Sequence, residues 1–159
     1  MNTKHIVLSL VVFSLLVATS VATTHRSSLI EPQNGSAAFG EGEFRFNNEA
    51  ISFSFEAHAN KNGHARGRAV FENLSTQTQV VVKIDCLRVD SFDALITGTV
   101  LHSDDPEFPK LTDVIFAASD GQGIHPDLIT PLFVSPFPDC NTAAPPLTIF
   151  QVDNIVIQP

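Results

Sequence analysis

Residues Ile51 to His58 alternate without a break, and that period of two constrains the fold more than any other feature of the chain. Ile51, Phe53, Phe55 and Ala57 fall on one face of an extended strand, and Ser52, Ser54, Glu56 and His58 on the other. Asn60-Lys61-Asn62-Gly63 follows, a set of residues that tolerate left-handed backbone, and His64 to Phe71 runs back. The spacing predicts a β-hairpin. Shape complementarity suggests a register with Ala57 opposite Ala65, Phe55 opposite Gly67, Phe53 opposite Ala69 and Ile51 opposite Phe71. Large inner side chains then meet small ones. On the outer face His58 lies opposite His64, Glu56 opposite Arg66, and Ser54 opposite Arg68. A slip of one residue would turn both arginines toward the apolar face.

Similar alternation predicts a second hairpin from Gln79–Val89 and Ala94–His102, joined through Asp90-Ser91-Phe92-Asp93. Val80, Val82, Ile84 and Cys86 share a face, so Cys86 is expected to point inward. Leu87 and Val89 fall on the opposite face, which suggests a bulge or a strand covered on both sides. Further strands are expected at Glu43–Phe46, Asp113–Ala118, Leu128–Thr130 and Leu147–Ile157. No long window carries helical periodicity. With 13 Phe, no Trp and no Tyr, the core is built from Phe and β-branched residues. About eight short strands separated by turns describe an all-β domain, an antiparallel β-sandwich or partly closed barrel. Most of the prolines fall in connections or edges, where a missing N–H does no harm.

The N-terminus reads as a secretory signal peptide over 1–22. Lys4 supplies a basic start, Ile6 to Ala18 an apolar run, and Ser20-Val21-Ala22 a small-residue cleavage site. The run of ~13 residues is ~20 Å long as a helix, short of the ~30 Å hydrocarbon core of a bilayer. Residues 23–38 are polar with Pro32 and Gly35 and read as a flexible leader, which assigns the all-β domain to 39–159. These features imply a secreted protein, extracellular or periplasmic, with no membrane insertion after cleavage. The net charge of −8 disfavours nucleic-acid and anionic-membrane partners. Two cysteines, Cys86 and Cys140, lie in the exported part. In an oxidising compartment they suggest one disulfide closing a loop of about 55 residues, contributing ~4 kcal/mol by loop entropy. Two separate buried thiols are the alternative.

Gly63-x-Ala65-x-Gly67, Phe71, Cys86-Leu87-x-Val89, Ala94-Leu95-Ile96-x-Gly98, and Asp120-Gly121-x-Gly123 with Asp127 resemble a group of small secreted proteins. They are mostly bacterial all-β domains of unknown function. The resemblance spans roughly Phe53 to Asp127 and rests on turn glycines and core positions. It implies export and a β fold, and it carries over no catalytic residue.

Serine-nucleophile, zinc-protease, phosphate-loop and dinucleotide motifs are absent from the sequence. Three constellations bear on chemistry. His58 and His64, opposite each other in the expected register, are weak candidates for a metal pair; solvated surface histidines are the simpler reading. Asp120 and Asp127, around Gly121 and Gly123, are weak candidates for calcium, though no glutamate closes the loop as in an EF-hand. An Asp-Gly turn explains the same residues. Asp104-Asp105-Pro106-Glu107 with Asp113 forms an acidic loop that reads as a solvated turn. Asn34-Gly35-Ser36 and Asn73-Leu74-Ser75 match the glycan-acceptor pattern, which matters only in a eukaryotic secretory route. No cofactor is implied. The leading expectation is a non-catalytic domain that binds a protein, glycan or surface, or serves the envelope structurally, with an extracellular or envelope partner of unknown identity. The alternatives are a small-ligand carrier with a Phe-lined interior, and a secreted metal-dependent hydrolase using Asp120, Asp127 and a histidine.

Overall fold

A computed structural model describes residues 35–60, 64–137 and 139–159. The chain divides into two units, Met1–Ile30 and Glu31–Pro159. The stretch read as a signal peptide and most of that read as leader lie outside the described residues, as does Asn34.

Among the described residues the second unit is all β, with ten strands: β1 (Ala37–Phe46), β2 (Glu49–Ala59), β3 (Ala65–Asn73), β4 (Thr78–Asp90), β5 (Asp93–Ser103), β6 (Asp113–Ser119), β7 (Asp127–Ile129), β8 (Phe133–Val134), β9 (Phe150–Val152) and β10 (Ile155–Gln158). They form one antiparallel sheet in the order β10-β1-β2-β3-β4-β5-β6-β7-β9, with β8 on the remaining length of β6. The two ends of this order, β9 and β10, are joined in sequence through Asp153 and Asn154. The sheet therefore curls until it nearly closes into a barrel. Strand β1 begins at Ala37, inside the stretch read as leader, and both Ala37 and Ala38 are fully buried. The expected single strand at Leu147–Ile157 is two strands, broken at Asn154, whose φ of 66° turns the chain from one sheet end to the other.

The inner face of the barrel is a continuous apolar cluster that includes Phe44, Phe53, Phe55, Phe71, Val82, Ile84, Ile96, Val100, Val114, Phe116, Ile129 and Ile157. Its aromatic rings touch one another. Phe55 and Phe71 meet Phe116 edge-on, at 5.3 and 5.2 Å between centroids, and Phe44 stacks on Phe150 at 5.0 Å. The last contact ties β1 to β9 across the closure.

The β2–β3 hairpin exists with the expected inner and outer faces, but its register differs by two residues. Ala59 lies opposite Ala65, Ala57 opposite Gly67, Phe55 opposite Ala69 and Phe53 opposite Phe71. The small partners of the two phenylalanines come from the other side: Gly40 and Gly42 of β1 face Phe55 and Phe53. With room supplied there, Phe53 and Phe71 stack at 6.4 Å instead of avoiding each other. The hairpin ladder ends where Asn60 N–H bonds to the His64 carbonyl at 3.0 Å.

Cys86 points outward, contrary to expectation. The β4–β5 ladder shifts register between Ile84 and Cys86, leaving Asp85 as an extra residue on β4. A bulge of this kind reverses the parity of the strand. Val80, Val82 and Ile84 face inward before it, and Leu87 and Val89 after it. Thr99 Oγ1 donates to Asp85 Oδ2 at 2.8 Å, and Lys83 pairs with the same carboxylate. Cys86 is thereby delivered to the outer surface, where it forms a disulfide with Cys140.

That disulfide anchors an arm, residues 135–149, which leaves β8 and crosses the outside of the sheet. Under it lies a second, smaller cluster of Leu95, Ile115, Cys140 and Ala143, flanked by Cys86, Ala117 and Phe133. Strands β4 to β6 are thus covered on both faces along part of their length.

Candidate functional site

Asp120 and Asp127 come together, as a shared site requires, but their oxygens are engaged with backbone. Asp127 accepts the Gly121 N–H at 2.9 Å through Oδ1 and the Ile155 N–H at 2.7 Å through Oδ2. Asp120 accepts the Gln122 N–H at 2.8 Å and the Ile157 N–H at 3.2 Å. Ile155 and Ile157 alternate along β10, so the two carboxylates act as surrogate strand partners for its free edge. They fasten β10 to the loop after β6, and Glu41 N–H adds a long bond to the Asn154 carbonyl at 3.4 Å. This arrangement is the seam of the barrel.

His58 and His64 are not a cross-strand pair. His58 lies opposite Arg66, and its Nε2 is 2.8 Å from Glu56 Oε1 on the same strand. His64 is exposed beyond the end of β3, its N–H donating to Asn60 Oδ1 at 3.0 Å. Among the described residues, the group of three potential ligand atoms lying within 4.8 Å of one another is Cys86, Asp139 and Cys140, and both of its sulfurs are in the disulfide. The acidic loop is local turn structure: Asp105 accepts the Glu107 N–H at 2.9 Å, and Ser103 Oγ bonds the Asp105 backbone on both sides. Asn73 opens a turn by accepting the Ser75 and Thr76 N–H groups, and its own amide donates to Glu49 at 2.6 Å.

Among the described residues, one feature with the capacity to hold a ligand was not legible from the sequence. A groove of about 590 Å³ lies on the outer face, over β4 to β7 and against the arm. Ladder register organises its floor into two rows. One runs Arg88, Leu95, Ala117 and Thr130, each opposite or bonded to the next. The other runs Asp90, Asp93, Ser119 and Leu128. Pro145, Pro146 and Ile149 of the arm line its side. Thr130 is buried, and its Oγ1 is occupied, accepting the Ala117 N–H at 2.9 Å and donating to the Pro131 carbonyl at 3.1 Å. The row of Leu95, Ala117 and Thr130 is therefore apolar in effect, while Asp90, Asp93 and Ser119 make the second row polar. The arm residues beside it are notably bare, with Leu147 at 95 % and Ile149 at 56 % exposure.

Arg88 is half-buried at one end of the groove. Its Nη1 donates to the Asn141 carbonyl at 3.3 Å, at the base of the arm. The ion pairs among the described residues are His58–Glu56, Lys83–Asp85 and His102–Asp104, and none involves Arg88. No protein-family model, curated protein or solved structure matches the chain.

Proposed function

We propose that this chain is an exported, non-catalytic binding domain whose recognition site is the outer groove between the sheet and the disulfide-anchored arm. The groove itself carries the reading: its volume lies within the usual range for small-molecule sites, and its floor sets an apolar row, Leu95 and Ala117, beside Asp90, Asp93 and Ser119, with Arg88 at one edge. The exposed apolar side chain of Ile149, on the arm, extends the same surface. The Cys86–Cys140 disulfide is compatible with an oxidising compartment, and the signal-like N-terminus and the resemblance to small secreted β domains point the same way. A carrier with a Phe-lined interior has less support, because the inner rings already pack on one another. A hydrolase built on Asp120 and Asp127 has less still, since both carboxylates are committed to the seam.

The test uses a neutral apolar fluorophore, N-phenyl-1-naphthylamine, titrated into the mature protein. Saturable binding is expected, weakened at least tenfold by Ala117→Gln, which places a longer uncharged side chain on the groove floor. Binding that is undiminished in a folded Ala117→Gln protein, or absent in the parent, overturns the groove as the recognition site. Export is tested by N-terminal sequencing of the secreted product, expected to begin at Thr23.

A further inference from the structure

We infer that the groove selects an apolar ligand bearing a single carboxylate, which Arg88 holds; this rests on the binding reading above and names its ligand class. A guanidinium stays charged under all ordinary conditions and has five N–H donors. One of them goes to Asn141, and no carboxylate of the described residues lies within ion-pair distance. A half-buried cation without an anion has lost hydration and received little in return. A carboxylate taking two of the remaining donors in the forked geometry restores that loss.

The floor fixes the rest of the ligand. Arg88, Leu95 and Ala117 on β4, β5 and β6, with Thr130 just past the end of β7, form one row, so a tail starting at the guanidinium crosses three strand spacings, about 14 Å. That suits an extended hydrocarbon chain of medium length lying across the strands, with Ile149 and Pro146 against its flank. Asp90 and Asp93, both exposed, stand at the hairpin tip one pleat beyond Arg88. They disfavour a second negative charge. The ligand is therefore a monoanion with an apolar tail, and a dianion of equal length is a poorer fit.

Displacement of N-phenyl-1-naphthylamine by decanoate, decan-1-ol and sebacate tests this. In the parent protein, decanoate should displace the neutral probe at a concentration at least tenfold below that of decan-1-ol, despite the greater apolarity of the alcohol, and sebacate should be weaker than decanoate. In Arg88→Gln the acid should lose its advantage over the alcohol. Equal potency of acid and alcohol in the parent, or a preference for decanoate that survives Arg88→Gln, overturns the assignment to Arg88 while probe binding leaves the groove standing. Failure of the probe to bind the parent protein overturns the groove and this inference together. Should Arg88→Gln fail to fold, the comparison of acid with alcohol in the parent decides alone.

Discussion

Asp127 reaches from the start of β7 to Ile155 on β10, accepting its backbone N–H at 2.7 Å, and so joins two parts of the sheet that share no strand ladder. Its second oxygen holds Gly121, so one side chain fixes both the turn and the strand that closes on it. Hydrogen bonds to a charged acceptor contribute more than neutral ones.

Removing that carboxylate leaves two N–H groups without their acceptor. Asp127→Ala should lower the unfolding free energy by about 2–4 kcal/mol, and Asp127→Asn, which keeps one acceptor oxygen, by less. Urea denaturation measures both. An Asp127→Ala protein within about 0.5 kcal/mol of the parent would remove the seam from the list of stabilising features.

Calcium provides an independent check on the same residues. With four oxygens accepting backbone N–H groups, millimolar calcium should leave the melting temperature unchanged. A rise that grows with calcium concentration would mean the ion competes for these oxygens and that the carboxylates form a site after all.

Gly40 faces Phe55 across the β1–β2 ladder, and a Cβ there would lie 2.5 Å from Phe55 Cε1 and 3.0 Å from Ile155 Cγ1. The ring is wedged among Phe53, Phe116 and the neighbouring strands, so it has little room to yield. Gly40→Ala should cost about 1–3 kcal/mol through overpacking, despite the gain in strand propensity. Thermal melting reads the result, and an unchanged or raised midpoint would show that the Phe55 ring relocates freely.

The bulge at Asp85 makes a sharper prediction. Deleting Asp85 removes the extra residue and leaves Cys86 directly after Ile84, still opposite Thr97 and facing outward, so the purified variant should keep the Cys86–Cys140 disulfide and titrate no free thiol. Asp85→Ala keeps the residue count and should retain the disulfide. Two free thiols in a folded deletion variant would show that the residue count between Ile84 and Cys86 does not set the cysteine's direction.

Replacing both cysteines by serine opens a link between positions 54 residues apart. The loop-entropy estimate is about 4 kcal/mol of lost stability. Because the arm loses its anchor while the inner core does not, residues 141–149 should become the first site of limited proteolysis under conditions where the β circular dichroism persists. Cleavage at the same rate in both proteins would show that the outer cluster alone holds the arm.

The inner and outer faces of the long strands were legible in the sequence because burial repeats every second residue. Register was not. A slip of two residues preserves every face, so the hairpin's own pattern cannot distinguish Phe55 opposite Gly67 from Phe55 opposite Ala69. The deciding glycines, Gly40 and Gly42, lie on a third strand. The clash of parity between Ile84 and Leu87 did point to a bulge, but not to which residue it displaced or where Cys86 would then look. Asp120 and Asp127 illustrate a different limit. A carboxylate beside a glycine turn has the same local signature whether it binds an ion or a distant N–H, and only the fold brings Ile155 and Ile157 within reach. The groove was hidden for a related reason: its floor is made of residues from four strands, and the arm that flanks it is proline-rich and carries no periodicity.

The pairing of β1 with β10 has a consequence for biogenesis. A chain made from its N-terminus presents the first strand long before its partner arrives. Until then the edge of β1 opposite β2 is bare, flanked by Phe44 and a run of hydrogen-bonding groups that any other extended polypeptide could match. Premature association is therefore a greater hazard for this barrel during its emergence than unfolding is afterwards, and the interval between the first and last strands is when a chaperone would be most effective.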